Sequence, residues 1–167
     1  MNEAINEQIG NEFCASLQYV AIASHFAGDA LPELAAHFYK QAEEERDHAM
    51  RFVKYVVEAG GTVEIPAIPK PTIGFKSVEE PVRLSLEQEK TVTNQINALV
   101  ELALKESDHI TKNFLNWFLT EQLEEVSSMQ DLLRVVERAG ERNLLYVEDY
   151  LARHHGKTAS KPAGGEA

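Results

Sequence analysis

The sequence has little cysteine and no long hydrophobic run. Its one cysteine, Cys14, cannot form an intramolecular disulfide, so the fold does not depend on oxidative folding. No apolar run reaches the roughly 18 residues of a membrane-spanning helix. The polar start MNEAINEQIGNE is not a secretory signal peptide. We therefore expect a cytoplasmic protein with no membrane partner.

Positive charge is also scarce. The 167 residues include 16 Lys and Arg against 27 Asp and Glu, which gives a formal net charge of −11. Binding to phosphates needs a basic face, so this balance argues against a nucleic-acid partner and is compatible with cations, metals included. With 44% hydrophobic residues, a chain of this length can bury one core, which excludes a disordered protein.

Glycine and proline are few, and they divide the chain into helical segments. Pro32 stands in the first turn of the second segment, Ser77 followed by Glu80 resembles a capping box, and Asp108 predicts a cap for the fourth. No segment alternates as a strand does. The sequence therefore predicts an all-α fold with helices before residue 27, at 31–59, at 77–105, at 108–139 and in a short stretch before residue 156.

The second and third segments are joined by a proline-rich connection, residues 60–76, without helical periodicity. About 17 extended residues span roughly 55 Å, which exceeds the roughly 40 Å length of a helix of about 27 residues. The connection can therefore run the length of a bundle and leave the second and third helices parallel. In this interpretation residues 1–155 form one domain, and residues 156–167 form a flexible polar tail.

Each of the four long segments carries apolar residues at alternating spacings of four and three, which is typical of helix bundles. Each apolar stripe is interrupted once by Glu or Gln, and the four interruptions are Glu12, Glu45, Glu89 and Gln122. The first two are equidistant from the first turn and the last two from the second, so each pair lies at one height. An offset of 77 residues carries the first pair onto the second, which predicts two copies of one hairpin related by a pseudo-two-fold axis.

Two more candidate ligands lie on the same helix faces, because His48 follows Glu45 by three residues and Glu125 follows Gln122 by three. A buried carboxylate costs several kcal/mol unless it is neutralised, paired or bound to metal, and no Lys or Arg lies on these stripes. Four carboxylates and one imidazole suit two divalent metal ions. Hard oxygen donors with few nitrogens favour iron or manganese over structural zinc.

Each of these candidate ligands also has a purely structural interpretation. A single polar residue in an apolar stripe is more often a device that fixes register than a ligand, whereas four at matched heights favour a metal site. Tyr19, two turns after Glu12, is either a core aromatic residue or a hydrogen-bonding or redox partner of the cluster. Trp117 can pack beside the site without a function of its own. We interpret the single cysteine and the remaining histidines as surface or packing residues: Cys14, His25, His37, His109, His154 and His155.

The residues at these positions resemble those of the ferritins, in particular the non-haem bacterial ferritins of the actinobacterial type. The resemblance covers about residues 1–155 and rests on Glu12, Glu45-Arg46-Asp47-His48, Glu89 and Glu121-Gln122-Leu123-Glu124-Glu125. It implies a ferritin-like four-helix bundle with one long crossover and a short fifth helix. It also implies iron storage: a shell of 24 subunits in which a di-iron ferroxidase centre oxidises Fe(II) to Fe(III) with dioxygen or hydrogen peroxide, and which holds ferric mineral.

The same resemblance implies roles for individual residues. In it, the first iron is held by Glu12, Glu45 and His48. Glu45 bridges to the second iron, which Glu89 and Glu125 help to hold. The residues beside the two irons are Gln122 and Tyr19. A third iron site, found in bacterial members, falls on Glu44, Glu121 and Glu124.

Three departures narrow the resemblance. Bacterioferritins carry a second Glu-x-x-His in the fourth helix, where this chain has Gln122 and Glu125. Their haem-ligating methionine stands where this chain has Arg46, so we expect no haem. Animal heavy chains line a pore with acidic residues at positions near Lys112 and Leu115 here, so that route for iron is not carried over.

Other functions remain open at this point. A di-iron peroxidase or oxygenase without storage uses the same bundle, although the Cys-rich extra domain that it usually carries does not fit a chain with one cysteine. A structural or interaction bundle would bind no metal. A DNA-binding miniature ferritin is disfavoured, because its site lies between subunits and its tail is basic.

Overall fold

The computed structural model describes residues 1–158, with side chains to residue 154, and in that range it has five α-helices and no strand. The helices are α1 Asn2–Gly28, α2 Pro32–Glu58, α3 Glu79–Lys105, α4 His109–Ala139 and α5 Leu144–Thr158. The all-α prediction is confirmed. None of the described helices is long and apolar enough to cross a membrane. Helix α5 extends three residues past the predicted start of the tail, and the rest of that tail lies outside the described residues.

The two hairpins, α1–α2 and α3–α4, have the same turn. Ala30 and Ser107, which are 77 residues apart, both adopt a left-handed backbone with φ of 57°. The Leu31 N–H donates to the Phe26 carbonyl at 3.0 Å, and the equivalent bond 77 residues later is 2.8 Å long. The backbone of the two halves therefore repeats with the offset predicted from the sequence.

The connection between α2 and α3, residues 59–78, runs back along α1. Near its start, the Asn6 amide donates to the Thr62 carbonyl at 2.9 Å. Farther along, the Gln18 amide exchanges two hydrogen bonds with the backbone of Thr72, at 3.0 and 2.7 Å. The connection thus returns to the end of the bundle where α2 began. Helix α3 starts there and runs parallel to α2, as expected for one long crossover.

The helix starts follow the predicted caps with one difference. The Asp108 carboxylate accepts a hydrogen bond from the Thr111 N–H at 2.9 Å and caps α4. At α3 the Ser77 hydroxyl accepts from the Glu80 N–H at 3.3 Å, but the Glu80 carboxylate accepts from the Lys76 N–H at 2.7 Å. The reciprocal half of the capping box, a bond from the Ser77 N–H to the Glu80 carboxylate, is replaced by the bond from Lys76, and α3 begins at Glu79.

Two apolar clusters fill the bundle, one towards each end. The first includes Phe26, Phe38, Leu86 and Met129, and α5 adds Val147 and Leu151 to it. The second includes Ile9, Phe52, Ile96 and Leu115. Burying each large apolar side chain contributes about 1.5–3 kcal/mol. Apolar packing on both sides therefore fixes whatever lies between the two clusters.

Candidate metal centre

A layer of buried polar side chains separates the two apolar clusters. It consists of Glu12 from α1, Glu45 and His48 from α2, Glu89 from α3, and Gln122 and Glu125 from α4, each at most 6% exposed. The layer thus brings together the four interruptions of the apolar stripes and the two residues three positions beyond them. Among the described residues, no Lys or Arg is buried. Within the part of the chain that the structure describes, the layer's carboxylates therefore have no buried Lys or Arg to balance their charge.

The first hairpin brings three ligand atoms together, one each from Glu12, Glu45 and His48, all within 4.8 Å of one another. His48 Nδ1 lies 3.4 Å from Glu45 Oε2, and Gln8 Nε2 donates to Glu12 Oε1 at 2.8 Å. Glu12 Oε2 and both oxygens of Glu45 are buried and accept no hydrogen bond. Buried polar atoms rarely lack a hydrogen-bond partner, and a bound cation would satisfy all three of these oxygens.

Burial raises the pKa of both carboxyls in this pair well above the usual range. The charge of Glu45 raises the pKa of Glu12 further, and the charge of Glu89 does the same to Glu45. Without a cation these carboxyls hold protons at pH values where an exposed carboxylate has none. A divalent ion that binds here replaces those protons.

The second hairpin presents its buried carboxylate differently. The Tyr19 hydroxyl donates to Glu89 Oε1, and Gln122 Nε2 donates to Glu89 Oε2 at 3.4 Å. Thr93 Oγ1 lies 3.4 Å from Gln122 Oε1 and holds that amide in place. Burial raises the pKa of Glu89 to about 7, against the lowering effect of the Tyr19 hydrogen bond. Both oxygens of this carboxylate thus have partners without a metal.

Glu125 completes the layer beside the first hairpin. Its carboxylate, the imidazole of His48 and the carboxylate of Glu121 form a second group of ligand atoms within 4.8 Å of one another. Burial raises the pKa of Glu125 to about 8, and the charges of Glu89 and Glu44 add to that rise. The two groups share His48, and the second group extends from the buried layer to the partly buried Glu121.

Aromatic side chains enclose one side of His48. The rings of Trp117 and Phe118 stand edge-on to the imidazole, with centroids 5.4 and 6.0 Å away. The Arg51 guanidinium lies 4.0 Å above the centroid of the Trp117 ring. These contacts place aromatic surface beside the imidazole of His48.

The three acids assigned by resemblance to a third iron are less buried than the layer. Glu44 and Glu121 are partly buried, and Glu124 is exposed. Gln41 Nε2 donates to Glu44 Oε2 at 2.5 Å, and Lys40 Nζ lies 3.0 Å from Glu44 Oε1. Glu44 is close enough to the layer for its charge to raise the pKa of the buried carboxyls.

Sequence reasoning missed three residues that orient the ligands: Gln8, Gln41 and Thr93. Each lies one helical turn from a carboxylate of the layer, and this spacing was the available signal. The residues expected to have packing or surface roles take no part in either ligand group of the described chain: Cys14, His25, His37, His109 and His154. The side chain of His155 lies outside the described residues.

The two positions matched to the acidic pore of animal heavy chains differ in burial. Leu115 is fully buried in the second apolar cluster, so its side chain packs in the core and cannot line a pore. Lys112 is partly buried. Neither residue supplies the carboxylate that such a pore needs.

Comparison with known proteins agrees with the fold. A family model described as a ferritin-like domain matches residues 2–139. The protein named Ferritin BfrB of Mycolicibacterium smegmatis is 45% identical over 163 residues, which cover 98% of this chain and 90% of that protein. A bacterial non-heme ferritin of Staphylococcus aureus is 36% identical over 146 residues, covering 87% of this chain and 88% of that protein.

A solved structure is similar over nearly the whole chain. It is an open pore ferritin from the hyperthermophilic archaeon Archaeoglobus fulgidus, with a TM-score of 0.88 and 35% sequence identity. The match covers 91% of this chain and 95% of that one. The resemblance found in the sequence is confirmed: the chain belongs to the ferritin family.

Proposed function

We propose that this chain is the subunit of an iron-storage protein and that its polar layer is a ferroxidase centre. The observation that carries the proposal is the Glu12–Glu45 pair, two buried carboxyls with three oxygens that accept no hydrogen bond. Such a pair needs protons or a cation to neutralise it. Oxygen donors with a single imidazole suit Fe(II), which is the substrate here.

Each residue of the layer has a task in this proposal. Glu12, Glu45 and His48 hold the first iron, and Glu45 bridges to the second. The second iron is held by Glu89 and Glu125. Gln122 and Tyr19 fix the carboxylate of Glu89 by hydrogen bonds. A third iron binds at the rim: its ligands are Glu44, Glu121 and Glu124. No haem takes part, because Arg46 occupies the position of the haem-ligating methionine.

The reaction moves two electrons. Each of two Fe(II) ions loses one electron, and dioxygen with two protons takes both to give hydrogen peroxide. With hydrogen peroxide as oxidant, two protons and the same two electrons give two molecules of water. Anionic ligands favour Fe(III) over Fe(II), because the higher charge interacts more strongly with them. Protons leave Glu89 and Glu125 when the metal binds, which makes binding dependent on pH.

Kinetics of a ligand variant test the centre. In Glu45→Ala the rapid oxidation of the first two Fe(II) ions per subunit should largely vanish in stopped-flow absorbance with stepwise Fe(II) additions. Glu43→Ala is the matched control, because Glu43 lies on the same helix and is exposed. An unchanged rapid phase in Glu45→Ala would show that the centre is assigned wrongly.

The storage function requires a shell, which we propose to contain 24 subunits in the cytoplasm. Leu145 and Tyr146 of α5 are 82% and 62% exposed, and a neighbouring subunit would cover them. At 18.7 kDa per chain the shell has a mass of about 450 kDa. Light scattering in native buffer measures this mass directly. A monomer or dimer would exclude the shell and favour the alternative, a di-iron peroxidase or oxygenase without storage.

A further inference from the structure

One amide at the rim of the metal centre is only half satisfied. Gln41, one turn before Glu45 on α2, is 6% exposed. Its Nε2 donates to Glu44 Oε2 at 2.5 Å, whereas its Oε1 is buried and accepts no hydrogen bond. A buried acceptor left without a partner costs about 1–3 kcal/mol. An oxygen in this state is available to a cation without losing another contact.

The carboxylate next to this amide has a second partner. Lys40 Nζ lies 3.0 Å from Glu44 Oε1, and both side chains are in part open to water. Glu44 therefore lies between an exposed ammonium group and a buried amide. The charge of Glu44 also raises the pKa values of Glu45 and Glu125, so Glu44 lies next to the buried polar layer.

The unpaired oxygen of Gln41 and the carboxylate of Glu44 are close enough to bind one ion. The oxygen and nitrogen of a carboxamide are about 2.3 Å apart, as follows from its bond lengths. With the hydrogen bond of 2.5 Å from Nε2, Gln41 Oε1 lies within about 5 Å of Glu44 Oε2. A cation with oxygen ligands at about 2.0–2.6 Å can contact two oxygens at this separation after small side-chain movements.

We propose that Gln41 supplies an oxygen ligand to a cation bound at Glu44, beside the two-metal centre, and that Lys40 competes with this cation for Glu44. The amide nitrogen of Gln41 holds the carboxylate in place, and its oxygen faces the ion. The ammonium group of Lys40 neutralises Glu44 while the position is empty and turns to solvent when it is filled. The inference rests on the proposed function, because it concerns iron that has reached the rim of that centre.

Three variants separate these roles, with anaerobic Fe(II) as the probe and the assembled protein in the calorimeter cell. Gln41→Leu keeps the size of the side chain and removes both polar atoms, so the third Fe(II) should bind about tenfold more weakly. Gln41→Glu keeps an oxygen and adds a charge, so the third Fe(II) should bind at least as tightly as in the parent. Lys40→Met removes the competitor from an exposed pair, so affinity should rise about two- to fivefold. The first two Fe(II) ions should bind equally in all three and in the control Glu43→Gln.

Iron-edge anomalous diffraction from anaerobically soaked crystals gives a readout independent of affinity. The parent should show a peak within bonding distance of Gln41 Oε1 and Glu44, and Gln41→Leu should lose it. A third Fe(II) that binds Gln41→Leu as it binds the parent would overturn the inference, as would a parent that binds only two. Equal weakening of all three ions in Gln41→Leu would also overturn it, since Gln41 would then act through packing of α2. If Gln41→Leu does not assemble, the other variants decide, and weaker binding in Gln41→Glu or unchanged binding in Lys40→Met refutes the proposal.

Failure of the proposed function looks different. A parent protein that binds no pair of Fe(II) ions in the buried layer contradicts the ferroxidase centre itself. If the parent binds the pair and the affinity for a third Fe(II) does not change in the Gln41 and Lys40 variants, only the proposed role of these two residues is contradicted.

Discussion

The two hairpins have the same backbone arrangement, but their buried carboxylates differ in hydrogen bonding. In the first, Glu12 and Glu45 have three oxygens without hydrogen bonds. In the second, both oxygens of Glu89 accept hydrogen bonds, one from Tyr19 and one from Gln122. The repeat thus places similar backbone around both carboxylate positions. The oxygens of Glu12 and Glu45 need a cation or protons, whereas those of Glu89 already have hydrogen-bond partners. We expect the tightest metal position to belong to the first hairpin.

Removing a ligand from the first hairpin should have the largest effect. In His48→Ala we expect the tightest Fe(II) position to weaken by about 100-fold or more, because an imidazole ligand is lost from a group of three. In Gln122→Ala the loss should be about tenfold or less, since its amide orients Glu89 and leaves the first group intact. Anaerobic calorimetry with Fe(II) measures both. Equal losses would contradict the difference between the halves.

The stability of the metal-free protein should fall as pH rises from about 5 to 9. The pKa of Glu89 is about 7 and that of Glu125 about 8 in the fold, against 4.5 for an unperturbed carboxyl. At low pH both states are protonated. Between 4.5 and the raised values the folded state keeps protons that the unfolded state has released, so its stability falls with rising pH. Glu12 and Glu45, whose pKa values burial also raises well above the usual range, act in the same direction.

Denaturation in guanidinium with a chelator present, at a series of pH values, measures this loss, which should reach several kcal/mol. A saturating divalent metal should flatten or reverse the trend, because the cation replaces the protons. Glu45→Gln should reduce the slope in the metal-free protein, whereas the exposed Glu43→Gln should not. A metal-free stability that rises between pH 5 and 9 would contradict the raised pKa values.

Removing one hydrogen bond should make the second half resemble the first. Tyr19→Phe leaves Glu89 Oε1 without its donor inside the core, so the metal-free protein should lose about 1–3 kcal/mol of stability. Saturation with a divalent metal should restore most of it. Tyr39→Phe is the matched control, because Tyr39 is 44% exposed and its hydroxyl can meet water. A loss of the same size in both variants would mean that the Tyr19 hydroxyl has no special role.

Periodicity predicted the frame of this site but not the state of its atoms. The spacing of apolar residues fixes which face of a helix is buried, and equal distance from a turn fixes height, so Glu12, Glu45 and Glu89 could be placed in one layer. Neither rule predicts the rotamers of the side chains. That Tyr19 bonds to Glu89, or that Gln41 reaches Glu44, depends on side-chain torsions and on packing between helices. Contacts between elements that are far apart in the sequence are not predicted by these rules either.

The fifth helix shows this limit most clearly. Its apolar pattern predicted a short helix, and in the structure that helix contacts α2 and α4. The pattern did not predict that the Glu148 carboxylate caps the start of α2, where it accepts from the N–H groups of Glu33 at 2.8 Å and Leu34 at 3.0 Å. Those two residues are separated from Glu148 by more than a hundred positions in the chain, and no local rule connects them.

The smallest effect on the first reaction should come from the rim. Glu124 is exposed and belongs to neither group of buried ligand atoms, so Glu124→Ala leaves the layer intact. The rapid oxidation of the first two Fe(II) ions should therefore keep the parent rate in stopped-flow absorbance. The ratio of iron oxidised to oxygen consumed, or the slower turnover that follows, should change, because a third iron loses a ligand. An oxygen electrode run beside the stopped-flow measurement records that ratio. A Glu124→Ala protein with the parent ratio and parent turnover would remove Glu124 from the third site, while a slowed first phase would show that the rim and the buried layer act as one unit.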